Sequence, residues 1–335
     1  MKHTTIIDIA KILKISASTV SRALSDHPDI KEETKIQVRK LAKKLDYSPN
    51  PIARSLKNNR TTAIGVIVPE IEHDFFASAI NGIEEVAYHA GYTIIVCQSN
   101  ESFEREIINT NALIQQRVAG IIASISQSTT SGEHFKNVIN RGIPLVFFDR
   151  ACEDITASKV IIDDVQSSFN AVNYLIGKGY KKIAHFAGPR SLEICKRRLN
   201  GYTDALKKSG ITVNKEFVRY GGLHEIDGYN SMDYLLKNNM MPDAVFAVND
   251  PVAIGAFQRI KEAGLKIPGD IGIVGFSNNK ITNLIDPKLT TVDQPSFEMG
   301  KRATEILINT IENSAKKIKP QIVILEAKLI VREST

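Results

Sequence analysis

The heptapeptide Ser16–Arg22, SASTVSR, sets four hydroxyls, one methyl side chain and one guanidinium within about two helical turns. Such a set suits recognition better than bond-breaking. Arg22 can pair bidentately with guanine, Ser18 can bond to a base edge, and Ala17 can touch a thymine methyl. The hydroxyls of Ser16, Thr19 and Ser21 suit phosphate oxygens, with Thr5 as a further candidate contact.

These side chains need elements to hold them. Ile6, Ile9, Ala10 and Leu13 recur at helical spacing, and Thr5-x-x-Asp8 has the form of a capping box at the start of that helix. After a break at Lys14-Ile15, Ser16 is placed to cap a second helix over 17–24, whose Val20, Ala23 and Leu24 would pack on the first. A third helix follows Pro28, with Val38, Leu41, Ala42 and Leu45 inward and Lys35, Arg39, Lys40, Lys43 and Lys44 mostly outside that stripe. Two short helices joined by a tight turn form a helix-turn-helix. A three-helix bundle with a solvated polar face is the plainer alternative, and charge speaks against it. Residues 1–60 carry 13 Lys/Arg against 6 Asp/Glu, whereas 61–335 carry 30 against 31. The whole excess of positive charge lies in the N-terminal module, as binding to a polyanion requires.

Beyond Thr61 the chain changes character. Apolar, β-branched runs such as AIGVIV (63–68), YTIIVC (92–97), IPLVFF (143–148), DAVFAV (243–248) and DIGIVGFS (270–277) alternate with helical patterns, which predicts parallel sheets covered on both faces. The number of such units calls for two doubly wound subdomains, with a ligand cleft between them at the carboxyl ends of the strands. No G-x-G-x-x-G follows the first strand, and there is no P-loop and no H-E-x-x-H. GFSNN (275–279) lacks the second glycine of a nucleophile elbow, and the adjacent Asp163 and Asp164 cannot both face one site from a strand. Neither catalytic residues, nor a cofactor, nor a metal site is expected. Cys97, Cys152 and Cys195 are too scattered for a disulfide framework or a zinc cluster. No apolar run approaches the roughly 18 residues of a membrane helix, and MKHTTIIDIAK has no signal-peptide core, so a cytoplasmic, non-membrane protein is expected, associated with the nucleoid when bound to DNA.

The pairing of T-V-S-R (Thr19–Arg22) with Y-x-P-N (Tyr47–Asn50), continued in RVAGIIAS, RRLNGYTDAL, AVNDPVAIGA, LTTVDQPSFEMG and LIVREST, resembles the lactose-repressor (LacI/GalR) family of bacterial transcription factors over essentially the whole chain. The resemblance implies an all-α helix-turn-helix headpiece (1–46), a hinge helix and linker (47–60), and an α/β body (61–335) of two doubly wound parallel-sheet subdomains like periplasmic binding proteins. The N-subdomain would comprise about 61–161 and 293–320, and the C-subdomain about 162–290 and 321–335. It implies a homodimer on near-palindromic double-stranded operator DNA, with Asn50, Ala53 and Leu56 of the hinge at the minor groove and Leu56 as the wedge in the central base step. No heptad segment follows LIVREST, so a dimer is expected rather than a larger oligomer. Two residues depart from the family pattern: Lys14 replaces the usual turn glycine, and Lys31 the usual Ser or Thr cap of the third helix.

By the same resemblance, His73, Phe75, Asp149, Arg150, Asp163, Arg198, Asn249 and Ser277 surround the effector. An aromatic face, carboxylates, an amide and arginines suit a sugar-like ligand. Ser277 stands where many relatives carry Asp; with Arg150, Lys196, Arg197 and Arg198 nearby, this favours a sugar or an acidic sugar derivative. The implied function is a non-enzymatic repressor of a carbohydrate-use operon, with operator affinity set by the effector. The alternatives are a corepressor-dependent or activating member of the family, or a sugar receptor with no DNA role.

Overall fold

The computed structural model describes residues 5–45, 47, 61–314 and 318–335. The chain divides into two compact units, Met1–Thr61 and Thr62–Thr335.

Among the described residues of the first unit there are three helices, α1 (Ile6–Leu13), α2 (Ala17–Leu24) and α3 (Glu32–Lys44). The capping box forms as the spacing predicts: the Thr5 backbone N–H donates to Asp8 Oδ2 at 2.8 Å, and the Asp8 N–H donates to Thr5 Oγ1 at 3.4 Å. Lys14 ends α1 in the left-handed conformation (φ 52°, ψ 39°), its N–H reaching back to the carbonyls of Ala10 and Lys11. A side chain there carries a cost of about 1–2 kcal/mol that glycine would avoid. No side-chain cap precedes α3 at Lys31. Ile9, Val20, Ala23, Val38 and Ala42 are buried together. Lys35 departs from the expected outward face of α3: it is buried, with Nζ 3.2 Å from Asp26.

The second unit holds two six-stranded sheets. The first contains β1 (Ala63–Val68), β2 (Thr93–Gln98), β3 (Gly120–Ala123), β4 (Leu145–Phe148), β5 (Ser158–Ile162) and β11 (Ile322–Leu325). The second contains β6 (Ile183–Phe186), β7 (Val218–Arg219), β8 (Ala244–Ala247), β9 (Gly272–Ser277), β10 (Thr290–Asp293) and β12 (Lys328–Ile330). Their orders are β11-β5-β4-β3-β1-β2 and β12-β10-β9-β8-β6-β7, so one doubly wound pattern occurs twice. All pairings are parallel except β12 on β10. The central strands are apolar on both sides because helices cover both, as the sequence runs require. We call the two halves the first and second lobes.

The chain passes between lobes after β5, after β10 and after β11. The last crossing corrects the expected boundary at 320/321: Ile322–Leu325 pairs with β5 in the first sheet, and only Lys328–Ile330 joins the second. Chain returning from β10 forms the helix Ser296–Glu312, which packs on the helix Asp74–His89 over the first sheet. Glycines make this contact close. A Cβ on Gly82 would meet the Phe297 carbonyl, and one on Gly300 would meet the Ala79 carbonyl. Backbone on both sides leaves nothing flexible to yield, so Gly300→Ala must part the helices. It is expected to destabilise the body by about 1–3 kcal/mol, read by thermal or urea unfolding, with an unchanged midpoint contradicting this packing.

Candidate nucleic-acid interface and ligand cleft

The surface of α2 is organised by its cap. Ser16 Oγ accepts from the Thr19 backbone N–H at 3.0 Å and lies 2.7 Å from Ser18 Oγ and 2.8 Å from Thr19 Oγ1. Three of the expected contacts therefore form one hydroxyl cluster at the helix N-terminus, where the helix dipole also favours a phosphate. Ser18 and Arg22 are exposed, and Ala17, Thr19 and Ser21 partly covered. Arg22 makes no ion pair among the described residues, so its guanidinium is available to an acceptor outside the chain. Thr5 is also exposed, with its hydroxyl donating to Asp8 at 2.7 Å. By contrast Lys35 and Arg39 are both taken up by Asp26, the latter at 2.5 Å, and the Lys35 contact above all holds the Asp26 carboxyl below its ordinary range. Asn50, Ala53 and Leu56 lie outside the described residues.

In the second unit, a cavity opens at the carboxyl ends of β1, β4, β8, β9 and β10. His73, Phe75, Asp149, Arg150, Arg198, Asn249 and Ser277 all line it. Its enclosed space, about 50 Å³, is small and has room for a few waters, so a sugar-sized guest would have to widen it. A larger depression of about 340 Å³, at Lys181, Tyr202 and Met240, lies by the amino ends of the second sheet's strands, where such folds do not place ligands.

Two buried arginines frame the cavity. Arg198 donates from Nε to Asp164 at 2.8 Å and from Nη1 to the Val248 carbonyl at 2.6 Å, its guanidinium 3.7 Å from the centre of the Phe276 ring. Arg150 donates from Nη1 to Glu101 at 2.8 Å and lies 5.5 Å from the Phe76 ring centre. Its buried Nε makes no hydrogen bond among the described residues, although Asp149 Oδ2 is 3.7 Å away. Asp149 itself follows β4 in the left-handed region (φ 57°), which aims its carboxylate at the cavity. Burial pushes its carboxyl up to about 6, against the pull of Arg150 and Arg198.

Ser277 donates to Gln294 Oε1 at 2.9 Å, and Gln294 Nε2 reaches Asp149 Oδ1 at 3.4 Å. Gln294 sits on the crossing after β10, so this chain of bonds links the lobes through the cavity. Asn249 caps the helix Asp250–Glu262 by accepting from the Val252 N–H at 3.0 Å, and its amide donates to the Leu223 carbonyl at 2.8 Å.

Asp163 is not brought into the site. It is exposed and caps the helix Asp164–Gly177 through the Gln166 N–H, whereas its neighbour Asp164 turns inward to Arg198. Sequence reasoning set the pair on opposite faces but did not identify Asp164 as the inward member, nor Gln294, Glu101 or Phe76 as site residues. Lys196 and Arg197 are outside the cavity lining, paired with Glu193 at 3.2 Å and Glu153 at 3.0 Å. Every cation expected near the ligand thus has a carboxylate, which removes the charge argument for an acidic guest.

Comparison with known proteins agrees with both halves of this architecture. Residues 61–332 match the family model described as periplasmic binding proteins and sugar binding domain of LacI family, and residues 5–50 match bacterial regulatory proteins of the lacI family. Over 333 residues the chain is 33% identical to the HTH-type transcriptional repressor CytR of Escherichia coli K12, spanning 99% of this chain and 96% of that one. It is 32% identical over 332 residues to the HTH-type transcriptional repressor PurR of Vibrio campbellii, spanning 98% of each. Among solved structures, the transcriptional regulator CelR in complex with cellobiose superposes with a TM-score of 0.76 at 26% identity, over 99% of this chain and 100% of that one. The Lac repressor dimer bound to operator and the anti-inducer ONPF superposes with a TM-score of 0.88 over 99% of each chain; at 24% identity this is a likeness of fold.

The raised Asp149 has a measurable consequence. The folded chain takes up this proton near pH 6 and the unfolded chain near 3.8, so the group opposes folding above pH 6 and stops doing so as the pH falls towards 4. Asp149→Asn should reduce the stability gained between pH 7 and pH 4.5 by on the order of 1–3 kcal/mol, at 1.36 kcal/mol per pK unit. Urea unfolding of both proteins across that range tests it, and identical pH slopes would contradict it.

Proposed function

This chain belongs to the LacI family of bacterial regulatory proteins, and from that premise we propose that it is a transcriptional repressor whose headpieces read a near-palindromic operator as a dimer, under the control of a ligand bound in the cleft. The observation that carries the reading is the pairing of two surfaces in one chain. One is the exposed Ser18 and Arg22 of α2 beside its hydroxyl-rich cap; the other is a polar cavity closed by residues from two lobes. The relatives are named as repressors and not as enzymes.

The ligand that fits best is a neutral, polyhydroxylated one, a sugar or a sugar-bearing compound. The cavity supplies acceptors at Asp149 and Asn249, guanidinium donors already neutralised by Glu101 and Asp164, and the apolar edges of Phe75 and Phe76. Ser277 in place of a carboxylate is absorbed by the Gln294 bridge to Asp149 and leaves no arginine unpaired. Ligand entry moves the lobes apart and resets their angle; by this reading the change passes to the segment containing Asn50, Ala53 and Leu56, which binds the minor groove only when paired with its twin. The helix that the sequence predicts for that segment is too short to be stable alone in water, so a small bias would suffice to form or abolish it.

Two measurements test this. After selection of the operator from random duplexes, Arg22→Ala should weaken specific binding by about 1–3 kcal/mol, or about 5- to 150-fold, while weak binding to unrelated DNA changes little. Equal affinity of wild type and variant for the selected site would overturn the assignment of α2. In a thermal-shift screen, a ligand at 100 times its dissociation constant adds about 2.7 kcal/mol. Stabilisation by neutral sugars is expected; stabilisation by uronates or phosphosugars alone would refute the neutral class.

A further inference from the structure

At the rim of the cleft the lobes meet through three side chains, of which only His73 belongs to the cavity lining. Glu70 and His73 follow β1 in the first lobe, and His224 precedes the helix Glu225–Lys237 in the second. His73 Nε2 lies 2.6 Å from Glu70 Oε2, and His224 Nε2 lies 3.7 Å from Glu70 Oε1. The two imidazoles stack across the gap, with centroids 5.7 Å apart and planes at 25°. One ligand atom from each residue lies within 4.8 Å of the other two, and all three side chains are partly buried.

We propose that Glu70, His73 and His224 form a site for a divalent cation of the zinc type, which clamps the two lobes together at the cleft mouth. Two imidazoles and one carboxylate are a ligand set of open zinc sites, which leave a fourth position for water or a guest oxygen. Zinc bonds of about 2.0–2.1 Å place tetrahedral ligand atoms roughly 3.3–3.4 Å apart, so three donor atoms that now lie within 4.8 Å of one another need to draw together by at most about 1.5 Å. Backbone geometry supports the placement. Asp227 accepts from the His224 backbone N–H at 3.1 Å, fixing that residue at its helix start, and His73 holds the same position on the helix Asp74–His89.

Because the donors come from both lobes, the cation binds the closed arrangement in preference to the open one and shifts the balance towards it. His73 also lines the cavity, so metal and cleft ligand act on the same motion. A hydrogen-bonded latch without metal is the competing reading. Sequence could not show this site: Glu70 and His73 sit three apart in a loop, and His224 is supplied from the other lobe by the fold.

The test is titration of the chelator-treated full chain with zinc by calorimetry, alongside Glu70→Gln and His224→Ala. The proposal expects one zinc per chain, with affinity falling by about 10- to 100-fold or more in each variant. It also expects zinc to raise the melting temperature of wild type but not of His224→Ala. Absence of one-to-one binding, or equal affinity in His224→Ala, would overturn it. If His224→Ala fails to fold, Glu70→Gln and the visible spectrum of the cobalt-loaded wild type decide. Intense bands of a tetrahedral ion, lost in Glu70→Gln, support the site; the pale spectrum of a six-coordinate ion refutes it.

Discussion

A positive charge almost wholly withdrawn from water must be answered where it stands, and Arg198, 3% exposed, imposes that condition on the body. Its answer is Asp164, the residue just past the crossing from the first sheet to the second. The partnership ties the crossing to the cavity wall, and the Val248 carbonyl and the Phe276 face fix the guanidinium from the second sheet. Leaving either charge unpaired would cost about 3–5 kcal/mol, a large part of the stability of an ordinary domain. The second crossing is tied more lightly, through the Gln294 amide between the Ser277 hydroxyl and the Asp149 carboxylate.

The same electrostatic discipline separates the two tasks of the chain. The headpiece keeps an excess of positive charge, though not all of it faces outward: Lys35 and Arg39 spend theirs on Asp26. Arg22 remains uncommitted within the described residues, on the exposed side of α2. In the cleft the reverse holds, with each arginine neutralised locally. A site so balanced offers directional hydrogen bonds without a strong field, which favours hydroxyl-bearing guests over ions.

Much of this was legible from the residues alone. AIGVIV and DAVFAV read as strands because burial on both faces demands continuous apolar runs, YTIIVC reads as one although it forms a half-buried edge strand, and the capping pattern and periodicity of the first 45 residues specify the three helices. What escaped follows a physical pattern. β11 is an edge strand whose residues alternate between exposed and half-buried, so its composition could not place it in one sheet or the other, and only pairing with β5 does so. Lys35 has the composition of a surface residue and is turned inward by a carboxylate nine positions earlier. Asp163 and Asp164 are indistinguishable in type; their division of labour depends on where the strand ends and the helix begins. Gln294 and Glu101 gain meaning only once the crossings bring distant segments together.

A repressor of this kind couples its cleft to its operator, and coupling of binding free energies is reciprocal. Its most direct measurement is the calorimetric affinity of the cleft ligand for the full chain, free and saturated with operator duplex. Operator should change the ligand affinity by the same factor, about 5- to 150-fold for a typical coupling, by which ligand changes operator affinity. Identical ligand affinity with and without operator would contradict it.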